Sequence, residues 1–141
     1  MKNLIVEAAS WAEHKETLIE LRSQVFVDEQ KVPPSIEIDG LDPQCKHVKA
    51  TADGMVIGTG RLLPDGHIGR MCIHKDYRQH GIGSLLLKNL VEQALSANYP
   101  HIALNSQSYA VPFYEKNGFV VDSEEFMDAG IPHRHMSFKT I

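Results

Sequence analysis

The chain has 141 residues, enough for one domain with a hydrophobic core and too few for two domains of ordinary size. Hydrophobic residues make up 43% and charged residues 23%, as in ordinary soluble globular proteins, and a formal net charge of −4 gives no electrostatic case for binding nucleic acid. We expect one cytoplasmic domain over residues 1–141 with no membrane partner, because no apolar run reaches the roughly 20 residues of a membrane span and the N-terminus is too short and acidic for a signal peptide.

The first part of the chain predicts a strand, a helix and a loop. Residues 4–8 are strand-like, and Ser10 followed by Glu13 has the spacing of a capping box. Apolar residues then recur near helical spacing until Pro33 and Pro34, where a helix cannot continue. The acidic stretch over residues 33–44 has no clear period, which predicts a loop with at most one short helical turn.

Three strands are predicted next. Residues 47–52, 55–63 and 67–74 are strand-like, and the pairs Asp53-Gly54 and Asp65-Gly66 between them are hairpin signals. This order predicts an antiparallel meander.

The second half of the chain predicts one crossover through a helix. An apolar stripe over residues 84–97 predicts an amphipathic helix that ends before Pro100. After it we expect a strand over 101–105, a short helix over 111–116 closed by Gly118, and final strands over 119–126 and 133–139. Strands outnumber helices and one βαβ-type crossover is present, so the pattern predicts a mixed sheet with helices on both faces.

The segment Arg78-Gln79-His80-Gly81-Ile82-Gly83 between strand and helix is the most informative part of the sequence. Two glycines let the chain turn tightly and bring N–H groups close to an anion, and the N-terminus of the next helix adds about half a positive charge. The segment lacks the Gly-Lys-Ser/Thr of a Walker A loop and the third glycine of a dinucleotide fingerprint. It therefore predicts phosphate binding of another kind, although an ordinary turn also fits the motif alone.

Together with the residues after it, this segment resembles a known family. The order strand, Arg-x-x-Gly-x-Gly, helix, strand, and then residues 110–119 resembles the GNAT superfamily of acyl-CoA-dependent N-acyltransferases. Features typical of its ElaA-like branch are residues 25–30, Asp39, Asp42, His47, Glu125-Phe126, residues 130–133 and Met136. The resemblance covers nearly the whole chain.

The resemblance implies a fold of the α/β (α+β) class. Its central sheet is mixed but mostly antiparallel, has about seven strands, and carries helices on both faces. The strand before the glycine segment and the strand after its helix are expected to splay apart, leaving a notch for the pantetheine arm of the cofactor.

The resemblance also implies which residues hold acetyl-CoA. The glycine segment would bind the pyrophosphate, and one strand would pair its backbone with the pantetheine amides. Many relatives carry Asn at the position of residue 107, where this chain carries Gln. Whether the Gln107 side chain makes a hydrogen bond to the cofactor is therefore left open. The expected cofactor-binding residues are Met71, Cys72, Ile73, Arg78, Gln79, His80, Gly81, Ile82, Gly83, Ser84, Gln107 and Tyr114.

Tyr114 is the expected general acid. A thiolate that leaves a thioester must be protonated, and a phenol with an ordinary pKa of about 10 is still a proton donor at neutral pH. The residue falls at the tyrosine of the family pattern Ala-x-x-x-Tyr-x-x-x-Gly-Phe. Without the resemblance, Phe113 and Tyr114 could equally be core aromatics of a short helix.

The general base and the acceptor contacts are less well defined. The candidate bases are Glu29, His74, Glu125 and His133. His133 is favoured because histidine has a suitable intrinsic pKa, but a structural histidine at a turn fits equally well. The candidate acceptor contacts are Arg22, Glu29 and Gln30, with Asp39, Asp42 and His47 nearby in the family pattern. Acidic residues on such a loop are usually only solvated, but together they favour a cationic acceptor.

No metal is expected to take part in the reaction. Cys45 and Cys72 lack the spacing of a zinc site, so free thiols are expected. Cys72 could alternatively be an acyl-carrying nucleophile. His133 and His135 would share one face of a strand, which leaves open a partial metal site.

The sequence thus predicts direct transfer of acetyl from acetyl-CoA to a primary amine in a ternary complex. The amine could belong to a small molecule, a peptide or a protein, and a homodimer is compatible with the resemblance. Two alternatives from other classes are a non-catalytic sensor of CoA or acyl-CoA and an ATP-binding protein.

Overall fold

Residues 3–139 are described by the computed structural model, and their strands form two four-stranded sheets. The first sheet has the order β1 (Ile5–Ala9), β2 (Lys46–Ala52), β3 (Met55–Leu62), β4 (Ile68–Ile73). The second sheet contains β5 (Ala103–Gln107), β6 (Phe119–Val121), β7 (Phe126–Asp128) and β8 (Ile131–Phe138), with β8 paired to the other three. Every ladder within residues 3–139 is antiparallel.

The predicted fold class is confirmed, with two differences in the strands. The strands divide into two sheets joined by an isolated parallel bridge between His67 and Ala103. The strand predicted over 119–126 is two strands, because Asp122 and Ser123 turn their side chains back to β8. The Ser123 hydroxyl accepts the backbone N–H of His135 at 2.9 Å, which replaces a ladder bond.

The helices are α1 (Trp11–Arg22), α2 (Pro34–Glu37), α3 (Ile82–Ser96) and α4 (Val111–Lys116). A π-helical segment, Ser23–Glu29, continues α1, and short 3-10 turns occupy Asp42–Gln44, Lys75–Tyr77 and Ser108–Ala110. None of the helices in residues 3–139 is long and apolar enough to cross a bilayer.

Helices α1 and α3 cover opposite faces of the first sheet. On the α3 face, Gly58 and Gly60 of β3 leave room for Leu86 and Leu90, whose methyl groups would lie 3.1 and 3.0 Å from a Cβ at those positions. A larger residue in β3 would therefore push the helix away from the sheet. The main hydrophobic core lies between α3 and the sheet and extends to Met136 on β8.

Helix α1 starts where the sequence predicts but without the predicted capping box. Ser10 is the N-cap residue, yet its side chain makes no capping bond. The start is instead fixed by the backbone, since the N–H of His14 donates to the Ser10 carbonyl at 3.0 Å. At the other end the backbone widens into the π-helical segment rather than continuing as the single helix that the pattern predicts, and such segments occur often at functional sites.

A network of buried charges holds the acidic segment 34–44 against the α1 face of the sheet. Arg22 is 1% exposed and donates to Glu37 and Asp42 at 2.6 and 2.7 Å, and Arg61 donates to Asp42 and Asp39 at 3.0 and 2.5 Å. Although burial raises the pKa of Asp42, the two guanidinium groups outweigh that effect and lower it. Removing one partner of such a network leaves an unpaired buried charge, at a cost of about 3–5 kcal/mol.

Candidate active site

A notch opens between β4 and β5, as the resemblance implies. The two strands are neighbours at the His67–Ala103 bridge but belong to different sheets beyond it. The N–H of His74 donates to the Ile57 carbonyl of β3 at 2.7 Å. Since antiparallel backbone groups alternate in direction, the peptide groups of Ile73 point away from β3 and into the notch.

Cys72 is placed differently from the prediction. By the same alternation its peptide groups pair with β3, so they are not free to pair with a pantetheine arm. Its side chain packs with Leu21 and Val25 under α1. Burial raises the pKa of the Cys72 thiol to about 12. A buried thiol that stays protonated is a poor nucleophile, which disfavours the acyl-enzyme alternative.

A β-bulge in β4 adjoins the notch. The ladder to β3 slips between Thr59 and Arg61, and Arg70 adopts the left-handed region with φ 51. The Arg70 side chain holds this conformation by donating to the backbone carbonyls of Ile36 and Glu37 at 3.2 and 3.3 Å. A bulge changes the direction of the backbone groups beside it, so the alternation that fixes the peptide groups of Cys72 and Ile73 does not extend to Met71.

The glycine segment forms a concave turn that opens helix α3. Gln79 and Gly81 have positive φ values of 68 and 76, and the helix begins at Ile82, two residues earlier than predicted. The first-turn N–H groups of a helix have no partner within it. Gly83 and Ser84 lie in this first turn, and together with the turn before them they form the candidate anion cradle.

Arg78 is paired with Glu29 at the mouth of this cradle. The guanidinium Nη2 lies 3.0 and 2.9 Å from the two carboxylate oxygens of Glu29, and Nε donates to the Ile73 carbonyl at 2.9 Å. The side chains of Arg78 and Glu29 are 41% and 32% exposed. The cation predicted for the pyrophosphate and one candidate base are thus bound to each other, which links the π-helical segment to the glycine segment.

Helix α4 brings Tyr114 to the same region. A Cβ on Gly83 would lie 3.5 Å from Phe113, the residue before Tyr114, and 3.6 Å from Ile73. The N-terminus of α3, the end of β4 and helix α4 therefore meet at Gly83. The Tyr114 ring packs edge-to-face against Phe113 and Phe119. Burial raises the pKa of the Tyr114 phenol, so the group is protonated at neutral pH.

His133 lies on β8 opposite Gln107, the last residue of β5. It is 9% exposed, its ring stacks on Phe126, and its Nδ1 lies 2.7 Å from the Ile131 carbonyl. A carbonyl only accepts hydrogen bonds, so Nδ1 carries the hydrogen and, in the neutral ring, Nε2 carries the lone pair. That tautomer suits a general base.

The other candidate bases are engaged in local structure. Nδ1 of His74 accepts the backbone N–H of Asp76 at 3.1 Å and caps a 3-10 turn. Glu125 is exposed and accepts a hydrogen bond from the Ser108 hydroxyl at 2.8 Å.

The structure does not support acceptor contacts for most of the polar residues near the front of the chain. Arg22, Asp39 and Asp42 belong to the buried network. His47 is 2% exposed, stacks on Trp11 and bonds the Asp42 carbonyl at 2.9 Å. Arg22 was predicted to contact the acceptor, with the other three residues nearby, but all four side chains are engaged in contacts that fix the fold. Gln30 is exposed at the end of the π-helical segment and stays a candidate.

Three features of the site were missed by the sequence reasoning: the π-helical segment, the bulge at Arg70 and the pairing of Arg78 with Glu29. The first two have no local signature in a single sequence. The third joins residues 49 positions apart, and a motif search over neighbouring residues does not detect it.

The edge of β4 that faces away from β3 belongs to no ladder within residues 3–139, and it runs to the N-terminus of α3. Such an edge, ending at a helix N-terminus, fits an extended, amide-bearing chain with a phosphate group, which is the form of CoA. The class of protein defined by this fold and site is a CoA-dependent acyltransferase. The sequence model described as "Acetyltransferase (GNAT) domain" matches residues 11–140, and the chain belongs to that family of N-acetyltransferases.

Similar proteins agree with this assignment. The chain is 41% identical over 120 residues to "Uncharacterized N-acetyltransferase YjcF" from Bacillus subtilis, a match that covers 82% of this chain and 86% of that protein. An acyl-CoA N-acyltransferase from Pseudomonas aeruginosa has a TM-score of 0.85 at 30% identity, covering 97% and 100% of the two chains. ElaA from Escherichia coli has a TM-score of 0.85 at 23% identity, covering 96% and 99%. The predicted resemblance to the GNAT superfamily is confirmed, and so is the enzyme class, whereas the likeness to ElaA is a likeness of fold.

Proposed function

We propose that residues 1–141 act as one domain that transfers acetyl directly from acetyl-CoA to a primary amine while both are bound. The observation that carries this proposal is the open edge of β4, which runs into the N-terminus of α3 next to Phe113 of the helix that also carries Tyr114. The family description and the name of the Bacillus subtilis relative support acetyl as the transferred group.

In the proposed complex the cofactor lies along the β4 edge. The N–H groups of residues 79–84 bind the pyrophosphate, and the peptide groups of Met71 and Ile73 pair with the pantetheine amides. Arg78 then exchanges the Glu29 carboxylate for a phosphate oxygen and releases the Ile73 carbonyl. Gln107, at the end of β5, lies across the notch, where its side chain can donate to the cofactor.

The chemistry follows from these positions. The amine nitrogen attacks the thioester carbonyl carbon, a C–N bond forms, and the C–S bond breaks. Tyr114 gives its proton to the departing thiolate, and Nε2 of His133 takes a proton from the nitrogen, directly or through water. His133 then releases its proton to solvent and Tyr114 takes one from solvent, so the enzyme is restored and the products are the amide and CoA thiol.

Replacing His133 with glutamine is expected to lower kcat/KM by about 10²-fold or more, because general base catalysis contributes roughly that much and a glutamine side chain does not accept the proton. Release of CoA thiol measures the rate, and the Kd for acetyl-CoA should stay near the native value. His74→Gln is the matched control and should keep the native kcat/KM. A native kcat/KM in His133→Gln would show that another group is the base.

Replacing Glu29 with glutamine is expected to tighten acetyl-CoA binding several-fold. The carboxylate competes with the pyrophosphate for Arg78, and the amide competes less because it carries no charge. Calorimetric titration measures the Kd, and the gain should shrink as salt is added. Asp28→Asn makes the same charge change at the neighbouring residue and should have a much smaller effect. A Kd for Glu29→Gln equal to or higher than the native value would contradict the exchange of Glu29 for the cofactor phosphate at Arg78.

Direct transfer is tested by the intact mass of the protein after incubation with acetyl-CoA and no amine. The proposal predicts no stoichiometric gain of an acetyl group, because Cys72 is buried with a raised pKa. An acetyl adduct on Cys72 that is lost when amine is added would establish an acyl-enzyme and overturn direct transfer.

A homodimer and a cytoplasmic location stay predictions. Exposed apolar side chains on the second sheet are compatible with pairing of two copies: Val120 on β6, Met127 on β7 and Ile131 on β8 are 43%, 63% and 42% exposed. Sedimentation of the purified protein would show a single monomer species if the dimer prediction is wrong.

A further inference from the structure

One nitrogen of the Arg70 guanidinium, beside the bulge in β4, has no partner within residues 3–139. Nε and Nη2 donate to the backbone carbonyls of Ile36 and Glu37 at 3.2 and 3.3 Å, and Nη2 reaches the Asp39 carboxylate at the longer distance of 3.4 Å. Nη1 bonds to none of these groups, and it is not one of the buried polar atoms in that part of the chain. The side chain is 28% exposed, so the N–H groups of Nη1 are open to solvent.

The neighbouring arginines are paired with carboxylates much more closely. Arg22 donates to Glu37 at 2.6 Å, and Arg61 donates to Asp39 at 2.5 Å. Burial lowers the pKa of a guanidinium, but in Arg22 and Arg61 the hydrogen bonds to carboxylates outweigh burial and raise it. For Arg70, burial and the charge of Arg61 lower the pKa. The carboxylates of this segment are therefore already neutralised, and Arg70 is the cation left to attract an anion.

Arg70 lies at the end of the notch where the thioester is expected. In the proposed complex the pyrophosphate lies at residues 79–84, past the C-terminal end of β4, and the pantetheine amides pair with Ile73 and then Met71. The cofactor thus runs back along the strand, and its thioester end lies toward Arg70, the residue before Met71. An amine that attacks the thioester carbonyl has to reach this end of the notch. An anionic group on the same molecule can then bind Arg70.

Two isoleucines present apolar surface beside this cation. Ile36 and Ile38 are 61% and 52% exposed. The backbone that carries them is fixed, because Arg70 holds the carbonyls of Ile36 and Glu37 and because the Glu37 side chain is bound to Arg22. Exposed apolar side chains on a fixed segment, next to an unpaired cation, fit a ligand that has one carboxylate and one apolar group.

We propose that the acceptor is an α-amino acid with an apolar side chain, whose carboxylate binds Nη1 of Arg70 and whose side chain contacts Ile36 and Ile38. The inference rests on the proposed function above and names the class of amine that it takes. A hydrogen bond between a guanidinium and a carboxylate is charge-assisted, and it holds the nitrogen one carbon away near the thioester. The products are an N-acetyl amino acid and CoA thiol. A cationic acceptor is disfavoured, because the carboxylates that suggested it are bound to arginines.

Release of CoA thiol with leucine, leucinamide or isoamylamine as the acceptor tests the proposal on the native protein. Leucinamide has an uncharged amide in place of the carboxylate, and isoamylamine has neither. The kcat/KM for leucine should exceed that for each of them by about 10–100-fold, as expected for a hydrogen bond to a charged group. Leucine should also be a better acceptor than glycine, which has no side chain for the isoleucines to contact.

Equal or higher kcat/KM for leucinamide and isoamylamine would overturn the inference and leave the proposed function in place. The same holds if leucine gives no thiol release and another primary amine does. No release with any primary amine would contradict the proposed function itself, and the inference would fall with it.

Variants of the two parts of the site separate binding from structure. In Arg70→Gln the kcat/KM for leucine should fall to that for leucinamide, whereas a purely structural role would lower both in proportion and keep their ratio. Arg70→Lys keeps the charge and should keep part of the preference. Ile36→Ser should lower kcat/KM for leucine and not for glycine, and Leu95→Ser, an exposed apolar residue in the last turn of α3, is its matched control. A native ratio of leucine to leucinamide in Arg70→Gln would overturn the role of Arg70.

Discussion

Replacing Tyr114 with phenylalanine should leave the affinity for acetyl-CoA unchanged and lower kcat by about 10²–10⁴-fold. The ring is held by Phe113 and Phe119, and these aromatic contacts persist without the hydroxyl. Burial raises the pKa of the phenol, so the native group holds its proton until the thiolate forms. The phenylalanine ring fills the same space but has no proton to give. Calorimetric titration measures the affinity, and release of CoA thiol measures kcat.

Tyr99→Phe is the matched control for this variant. Tyr99 also packs against the core, but it follows the C-terminal end of α3, whereas Tyr114 lies near the N-terminal end. The same loss of one hydroxyl there should leave kcat near the native value. If Tyr114→Phe turned over as fast as Tyr99→Phe, Tyr114 would have no role in proton transfer and water would be the donor.

Replacing Gly83 with glutamate should weaken acetyl-CoA binding by about 100-fold or more. The residue lies in the first turn of α3, where the free N–H groups point at the proposed pyrophosphate. A carboxylate there meets a second anion in the same cradle, and like charges brought together at a binding site cost several kcal/mol. The measurement is the Kd for CoA by calorimetric titration.

Gly83→Ala separates the charge effect from steric effects. A Cβ at this position would lie 3.5 Å from Phe113 and 3.6 Å from Ile73, which are ordinary contacts, so alanine should fit and bind CoA nearly as well as glycine. Glutamate should not unfold the protein, because an acidic residue in the first turn of a helix is stabilising. Equal Kd values for the alanine and glutamate variants would show that the pyrophosphate is bound elsewhere.

Elements with a strong local pattern could be predicted from the sequence. The apolar stripe of α3 and the hairpin signals at Asp53-Gly54 and Asp65-Gly66 each depend on neighbouring residues, and the corresponding helix and meander are present. The tight turn at the glycine segment was also predicted, since glycine at Gly81 permits a left-handed turn that few other residues adopt. Its role as an anion cradle stays a prediction. The helix itself starts at Ile82, two residues earlier than predicted.

The buried charges could not be predicted in the same way. The acidic segment 34–44 looks solvated because hydropathy treats each carboxylate alone. Glu37 and Asp42 are buried because Arg22 and Arg61, which are distant in the sequence, neutralise them. A sequence pattern records the charges but not the fold that brings them together.

The same reason explains the errors at the site. Cys72 belongs to the strand that borders the notch, but the alternation of peptide directions in β4 turns its backbone to β3. The register of a strand is set by its partner, so a motif assigned to β4 alone could not separate Cys72 from Ile73. Glu29 was a candidate base, but in the fold its carboxylate is paired with the Arg78 guanidinium.

The central claim is that the protein transfers acetyl from acetyl-CoA to an amine. The most direct measurement is release of CoA thiol by the native protein supplied with acetyl-CoA and a panel of primary amines, with the acetylated amine followed in parallel by mass spectrometry. We predict thiol release that requires an amine and an equal amount of acetylated amine. Tight binding of acetyl-CoA with no amine-dependent release across small amines, amino sugars, peptide N-termini and lysine peptides would contradict the claim and favour a sensor of acyl-CoA.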